Sequence, residues 1–199
     1  MLAPWILAPG RALLAIALGL VITFTTGHTA RFGLVAFGVF AVLSGLLLLA
    51  ASIGPRAPVD GRTGLRAQAA ISLVAGIAAL VQTGGGVGYL ILLLSGWAIV
   101  TGALELVGGL RFRGVAGWAD RVIAGALTIL LGAVVLVIPP DLAQPFSGDN
   151  GIQGLVTSGI VVVGVLGAWA VVTGVLQAIG AASARLAAGR TGRTAEASR

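Results

Sequence analysis

The chain reads as an all-α membrane protein of six transmembrane helices, arranged as three repeated antiparallel helix hairpins. Three observations predict this. Of 199 residues, 58% are hydrophobic and only 9% are charged, with mean hydropathy +1.09. A soluble domain carries about 25% charged residues, and there is too little polar sequence here to cover a water-facing surface. Continuous apolar runs recur, each long enough to cross roughly 30 Å of hydrocarbon as a helix. Arginines fall at alternate ends of those runs.

The spans are read at 11–28, 32–54, 66–83, 88–110, 120–138 and 153–178. The first and third are short, near the lower limit for crossing about 30 Å of hydrocarbon. The runs are continuous, whereas barrel strands would alternate over about ten residues. Residues 12–24 also resemble the apolar part of a signal peptide. Cleavage after Ala30 would put His28 where a small residue is wanted, so the segment is read as a retained helix.

The connections follow from turn chemistry. Between spans one and two lie Thr25, Thr26, Gly27, His28 and Thr29. His28 is the sole histidine; it could sense acid near its ordinary pKa of about 6.5, but an exposed loop histidine is the plainer reading. Residues 55–66 form a polar loop. Gly84, Gly85, Gly86 and Gly88 mark a tight turn, since no Gly-Lys-Ser/Thr follows to make a phosphate loop. The longest connection, 139–153, carries Pro139, Pro140, Asp141, Asp149 and Asn150 without calcium-loop spacing, and is read as a solvated turn. Residues 187–199 are predicted to be a disordered basic tail.

Charge sets the orientation. The net charge of +6 comes from 12 Arg against 6 acids. The N-terminal segment, the even-numbered loops and the C-terminal segment hold Arg11, Arg56, Arg62, Arg66, Arg111, Arg113, Arg121, Arg185, Arg190, Arg193 and Arg199; the other side holds Arg31 alone. Positive-inside bias then puts both termini in the cytoplasm. It also explains the basic balance without nucleic acid. With no cysteine and one histidine, no disulfide, thiolate chemistry, metal site or cofactor is expected.

The hairpins, at about 11–54, 66–110 and 120–178, share a register. Odd helices are anchored on Gly19, Gly76 and Gly132, even helices on Gly45, Gly102 and Gly174. The anchors are 26 residues apart in the first two hairpins and 42 in the third, whose excess lies in the loop 139–153. Four residues before the odd anchors stand Ala15, Ser72 and Thr128; four before the even anchors stand Ala41, Ala98 and Ala170. Small residues at this spacing make a flat stripe that lets another helix approach closely.

The same register lines up the candidate functional residues. Phe40, Trp97 and Trp169 stand five before the even anchors; Ser44, Thr101 and Thr173 stand one before; Leu48, Glu105 and Gln177 stand three beyond. Glu105 is the single carboxylate away from the ends of a span, six residues before Arg111, about 9 Å along a helix. An acid there is a proton-relay or cation-site candidate, or a carboxylate paired with Arg66 or another loop arginine. Trp97 and Trp169 lie mid-span, where their indole N–H groups need acceptors; packing is their plainer role, lining a ligand site the sharper one. Trp5 and Trp118 suit the membrane interface. Nothing resembles a nucleophile–base pair, so no enzyme is expected.

The segment Ser95 through Leu106 (SGWAIVTGALEL), followed by Arg111, Phe112 and Arg113, resembles the HdeD family of small bacterial inner-membrane proteins built from helix pairs. Its echo Gly167 through Gln177 (GAWAVVTGVLQ) and the end of span five, Leu131–Gly132 to Pro139, strengthen the resemblance, which covers most of 66–180. It implies a link to acid and general stress resistance and carries over no catalytic residue. Leu48 and Gln177 at the Glu105 position depart from any mechanism needing three equivalent acids. Three functions are weighed: a non-enzymatic stress-resistance protein acting through packing with itself or membrane partners; a small proton-linked transporter or channel using Glu105; and an accessory subunit of a larger membrane complex.

Overall fold

In the computed structural model, residues 4–53, 59–114, 117–147 and 153–197 are described. Arg56, Asp149, Asn150 and Arg199, and the side chains of Trp5, Arg185, Arg190 and Arg193, lie outside the described residues. Among the described residues, six helices long and apolar enough to cross a membrane run in order: α1 Pro4–Phe24, α2 Ala30–Ile53, α3 Val59–Val81, α4 Gly86–Arg111, α5 Trp118–Leu136 and α6 Ser158–Ala197. The protein is a multi-pass all-α membrane protein.

Local chemistry sets the boundaries. The His28 Nε2–H donates to the Ile22 carbonyl at 2.9 Å and thereby satisfies one of the carbonyls that the end of α1 leaves without a helical partner. Thr29 caps α2, its Oγ1 accepting from the Phe32 N–H at 3.2 Å. The turn into α4 is tight because Gly86 adopts φ +75°, a conformation costly for a residue with a Cβ.

Three elements differ from the sequence reading. α3 begins at Val59, inside the expected polar loop, although its apolar stretch starts only at Arg62. The long connection is not merely a turn: β1 (Ala143–Ser147) and β2 (Gln153–Thr157) pair antiparallel, Ala143 opposite Thr157 and Ser147 opposite Gln153. Its alternation was too short and too exposed to signal strands. The hairpin is tied down by Ser158, whose Oγ lies 2.8 and 2.9 Å from the Pro139 and Pro140 carbonyl oxygens and whose N–H donates to Leu142 O at 3.1 Å. Finally, α6 continues to Ala197 through the expected disordered tail. The tail is rich in Ala and Arg, both strong helix formers, and it extends an existing helix, so no new nucleus is needed.

The six helices form a ring in two layers. α2, α4 and α6 touch one another at the centre; α1 sits between α6 and α2, α3 between α2 and α4, and α5 between α4 and α6. Burial agrees: 39%, 50% and 44% of the spanning stretches of α2, α4 and α6 are buried, against 28%, 28% and 33% for α1, α3 and α5. The core between them includes Leu34, Phe37, Leu90, Leu94, Val162 and Leu166, all fully buried. Leu13, Phe24, Leu92 and Val107 stay exposed on the outside, as lipid contact requires.

The glycine stripes decide which helices pack closest. A Cβ on Gly45 would lie 3.0 Å from Ala69 O, one on Gly102 2.8 Å from Gly125 O, and one on Gly174 3.2 Å from Ala12 O. Reciprocally, a Cβ on Gly76 would lie 2.9 Å from Gly38 O, on Gly132 3.0 Å from Ser95 O, and on Gly19 3.4 Å from Gly167 O. The same two backbone approaches occur three times. They join α2 to α3, α4 to α5 and α6 to α1, the most closely packed pairs, each antiparallel. The stripes therefore bond each hairpin of the sequence reading to the next, and the last to the first, rather than holding a hairpin's own two helices together.

Candidate functional site

On α2, α4 and α6 the residues at four-residue spacing share one face, and that face points to the axis. Phe40, Ser44 and Leu48 from α2, Trp97, Thr101 and Glu105 from α4, and Trp169, Thr173 and Gln177 from α6 line one cavity. The outer helices complete it with Arg11 and Ala15 from α1, Gln68 and Ser72 from α3, and Thr128 from α5. The repeat register has become layers stacked along the axis.

The innermost layer is aromatic. Phe40, Trp97 and Trp169 contact one another in a closed triangle, with centroids 6.1, 5.8 and 5.8 Å apart and interplanar angles of 86°, 85° and 88°. Edge-to-face geometry sets the positive rim of one ring against the negative face of the next, worth about 0.5–1.5 kcal/mol per pair. Phe37 adds a further edge contact to Trp97, at 5.2 Å. The triangle closes the cavity toward the side of the membrane that holds the β-hairpin.

A hydroxyl layer follows. Trp97 Nε1–H donates to Ser72 Oγ at 3.1 Å, and Thr101 Oγ1 donates to the Trp97 carbonyl at 2.6 Å. Thr128 Oγ1 donates to Ala124 O at 2.8 Å. Here the third repeat departs from the second. Thr128 stands where Ser72 does but has turned back on its own helix, so Trp169 Nε1 has no hydrogen-bond partner among the described residues. Thr173 Oγ1 and Gln177 Oε1, one and two turns further along α6, also have none.

The outermost layer carries the charge. Arg11 Nη1 and Nη2 donate to Glu105 Oε1 and Oε2 at 2.6 and 3.0 Å. The paired fork is the strongest ordinary hydrogen-bond geometry. Glu105 is nearly enclosed, its side chain 6% exposed against 24% for Arg11. The partner expected from the sequence was Arg66 or another loop arginine. Arg66 is exposed on the outer layer, whereas Arg11 lies one turn deeper than a flank, inside α1, and its long side chain crosses the axis.

Six of the eight residues singled out by sequence, Glu105, Trp97, Trp169, Thr101, Thr173 and Gln177, thus meet at one cavity. Gly102 and Gly174 do not; they face α5 and α1 as packing surfaces. Sequence reasoning missed Arg11 and Gln68. Both stand eight residues before an odd anchor, where the third repeat has Ala124, so the register held the signal. His28 is taken up by the end of α1, 6.2 Å from Phe32 in an edge contact. Trp118 lies under the Arg113 guanidinium, 6.0 Å away, at the end of the bundle that holds the charged layer.

Residues 67–137 match the model of a family described as a short repeat of unknown function (DUF308), the family to which HdeD belongs. The match runs from α3 through α5, one inner helix with an outer helix on each side. Neither the curated proteins nor the solved structures give a significant match.

Proposed function

We propose that this chain is a non-enzymatic protein of a bacterial inner membrane, both termini cytoplasmic, that supports acid or envelope stress resistance as a closed helix ring. The stress association is supported by the resemblance to HdeD and by the DUF308 match across α3 to α5. One arrangement carries the choice of a closed ring over a transporter: the polar stretch of the axis ends blind, and its one carboxylate is engaged. The aromatic triangle fills one end, and the Arg11–Glu105 fork occupies the one carboxylate in the cavity. A proton relay needs an acid free to change partners; this one is held by both nitrogens of a partly exposed guanidinium. Exposed apolar surface on the outer helices leaves the ring free to act through lipid or partner membrane proteins.

Deletion of the gene followed by acid challenge tests the reading. Survival is expected to fall at least tenfold and to return with the wild-type gene. It should also return with Arg11→Gln/Glu105→Gln, which removes both charges and leaves the ring. A double variant that folds and inserts normally but fails to restore survival would show that the charges act in the function itself.

A further inference from the structure

The face of α6 that lines the cavity has a hydrogen-bonding capacity that nothing else in the ring uses. Trp169 Nε1 is a donor, Thr173 Oγ1 a donor and acceptor, and Gln177 Oε1 an acceptor. None has a partner among the described residues, and Thr173 is only 2% exposed. Buried polar atoms are rarely left so. We infer that this face is a binding site for two ordered water molecules, one bridging Trp169 to Thr173 and one bridging Thr173 to Gln177.

Three arguments select water. Arg11 and Glu105 cancel each other, so the cavity is neutral, and an added ion would be an uncompensated charge away from bulk solvent. Each four-residue step along α6 rises about 6 Å and stacks the three side chains on one face, a step that the long Trp169 and Gln177 side chains can shorten toward the roughly 4.5–5.6 Å that one water bridges with two hydrogen bonds of about 2.8 Å. The cavity volume is about 30 Å³, against roughly 10–15 Å³ for each water centre. That is room for two waters.

The proton order is consistent along the file. Trp169 N–H donates to the first water, which donates to Thr173 Oγ1. The Thr173 hydroxyl donates to the second water, which donates to Gln177 Oε1. Water enters past the partly exposed Arg11 and stops at the aromatic triangle. The site is a hydrated blind vestibule, a property of the geometry independent of any stress role. In the second repeat the matching indole is already bound to Ser72, so only the third repeat needs the waters.

Indole ¹⁵N-labelled full-length protein in detergent micelles supplies the test, with resonances assigned by single Trp→Phe variants. The Trp169 indole proton should show direct cross-relaxation with water and exchange at least tenfold faster than that of Trp97. Equal protection of the two indoles, or Trp169 contacts to detergent acyl protons instead of water, would overturn the proposal. Thr173→Val gives a second readout. It removes a bridge if the face is wet, lowering the unfolding midpoint; in a dry cavity it removes an unsatisfied hydroxyl and raises the midpoint. A raised midpoint contradicts the proposal.

Discussion

Arg11 stands on an outer helix packed between α6 and α2, and its guanidinium crosses the axis to a carboxylate on α4. Removing one charge of a fully buried pair costs about 3–5 kcal/mol, because the other is left unpaired. Arg11 is 24% exposed and can turn its head toward water, so the cost here is smaller. Glu105→Gln is expected to destabilise by about 1–3 kcal/mol, and Arg11→Gln/Glu105→Gln by less than the two single changes summed. A double-mutant cycle on unfolding in detergent measures this; strict additivity would mean the fork contributes nothing in solution. The carboxylate itself was legible in the sequence, as the one acid away from the ends of a span and in register with Gln177 and Leu48. Its partner was not. An arginine eleven residues from the start looks like a topology signal, and only the match of its eight-residue offset with Gln68 hints that it faces the axis. The unpaired indole of Trp169 was illegible for a different reason: Thr128 can replace Ser72 in size and chemistry, but its rotamer sends the hydroxyl to Ala124.

At the scale of elements, the glycine contacts predict which helices cannot be pushed apart. Gly102→Leu would drive a side chain into the Gly125 carbonyl and the Ile129 backbone, and Gly174→Leu into Ile16 and Ala12. Backbone cannot swing away as a side chain can, so each change should lower the unfolding midpoint far more than Leu93→Ile, a volume-conserving swap worth less than about 1.5 kcal/mol. Equal midpoints would place the stripes against lipid. The closure of α6 on α1 has its own check. The Cβ positions of Gly167 and Ile22 would lie 3.3 Å apart, near the roughly 3.5–4.5 Å of a disulfide, and the chain has no other cysteine to confuse the result. Ile22→Cys/Gly167→Cys should form an intramolecular disulfide, seen as a reducible shift in gel mobility. Crosslinks only between molecules would open the ring. Six spans could be read from composition and arginine spacing because hydrocarbon thickness and hydration cost act on every residue of a span. Helix partners could not, because all six helices carry equivalent small-residue stripes, and sequence proximity suggests the hairpin's own mate when the close contact lies with the next repeat.

The whole molecule has two ends of opposite character, a charged layer on the side of both termini and a β-hairpin on the other. Its orientation is open to a direct check. Cysteines at Ser147 and Ser198 should label from opposite faces of spheroplasts, Ser147 from outside; labelling from one face would refute six crossings. The proposed function requires an axis that does not conduct. The aromatic triangle and the carboxylate held by Arg11 support it, and the proposed waters stop at a blind end. Wild-type protein reconstituted in liposomes under a pH gradient measures this most directly. Proton flux is expected to be no greater than in empty liposomes. Flux well above that level, lost in Glu105→Gln protein that is still folded, would contradict it and make Glu105 part of a proton pathway.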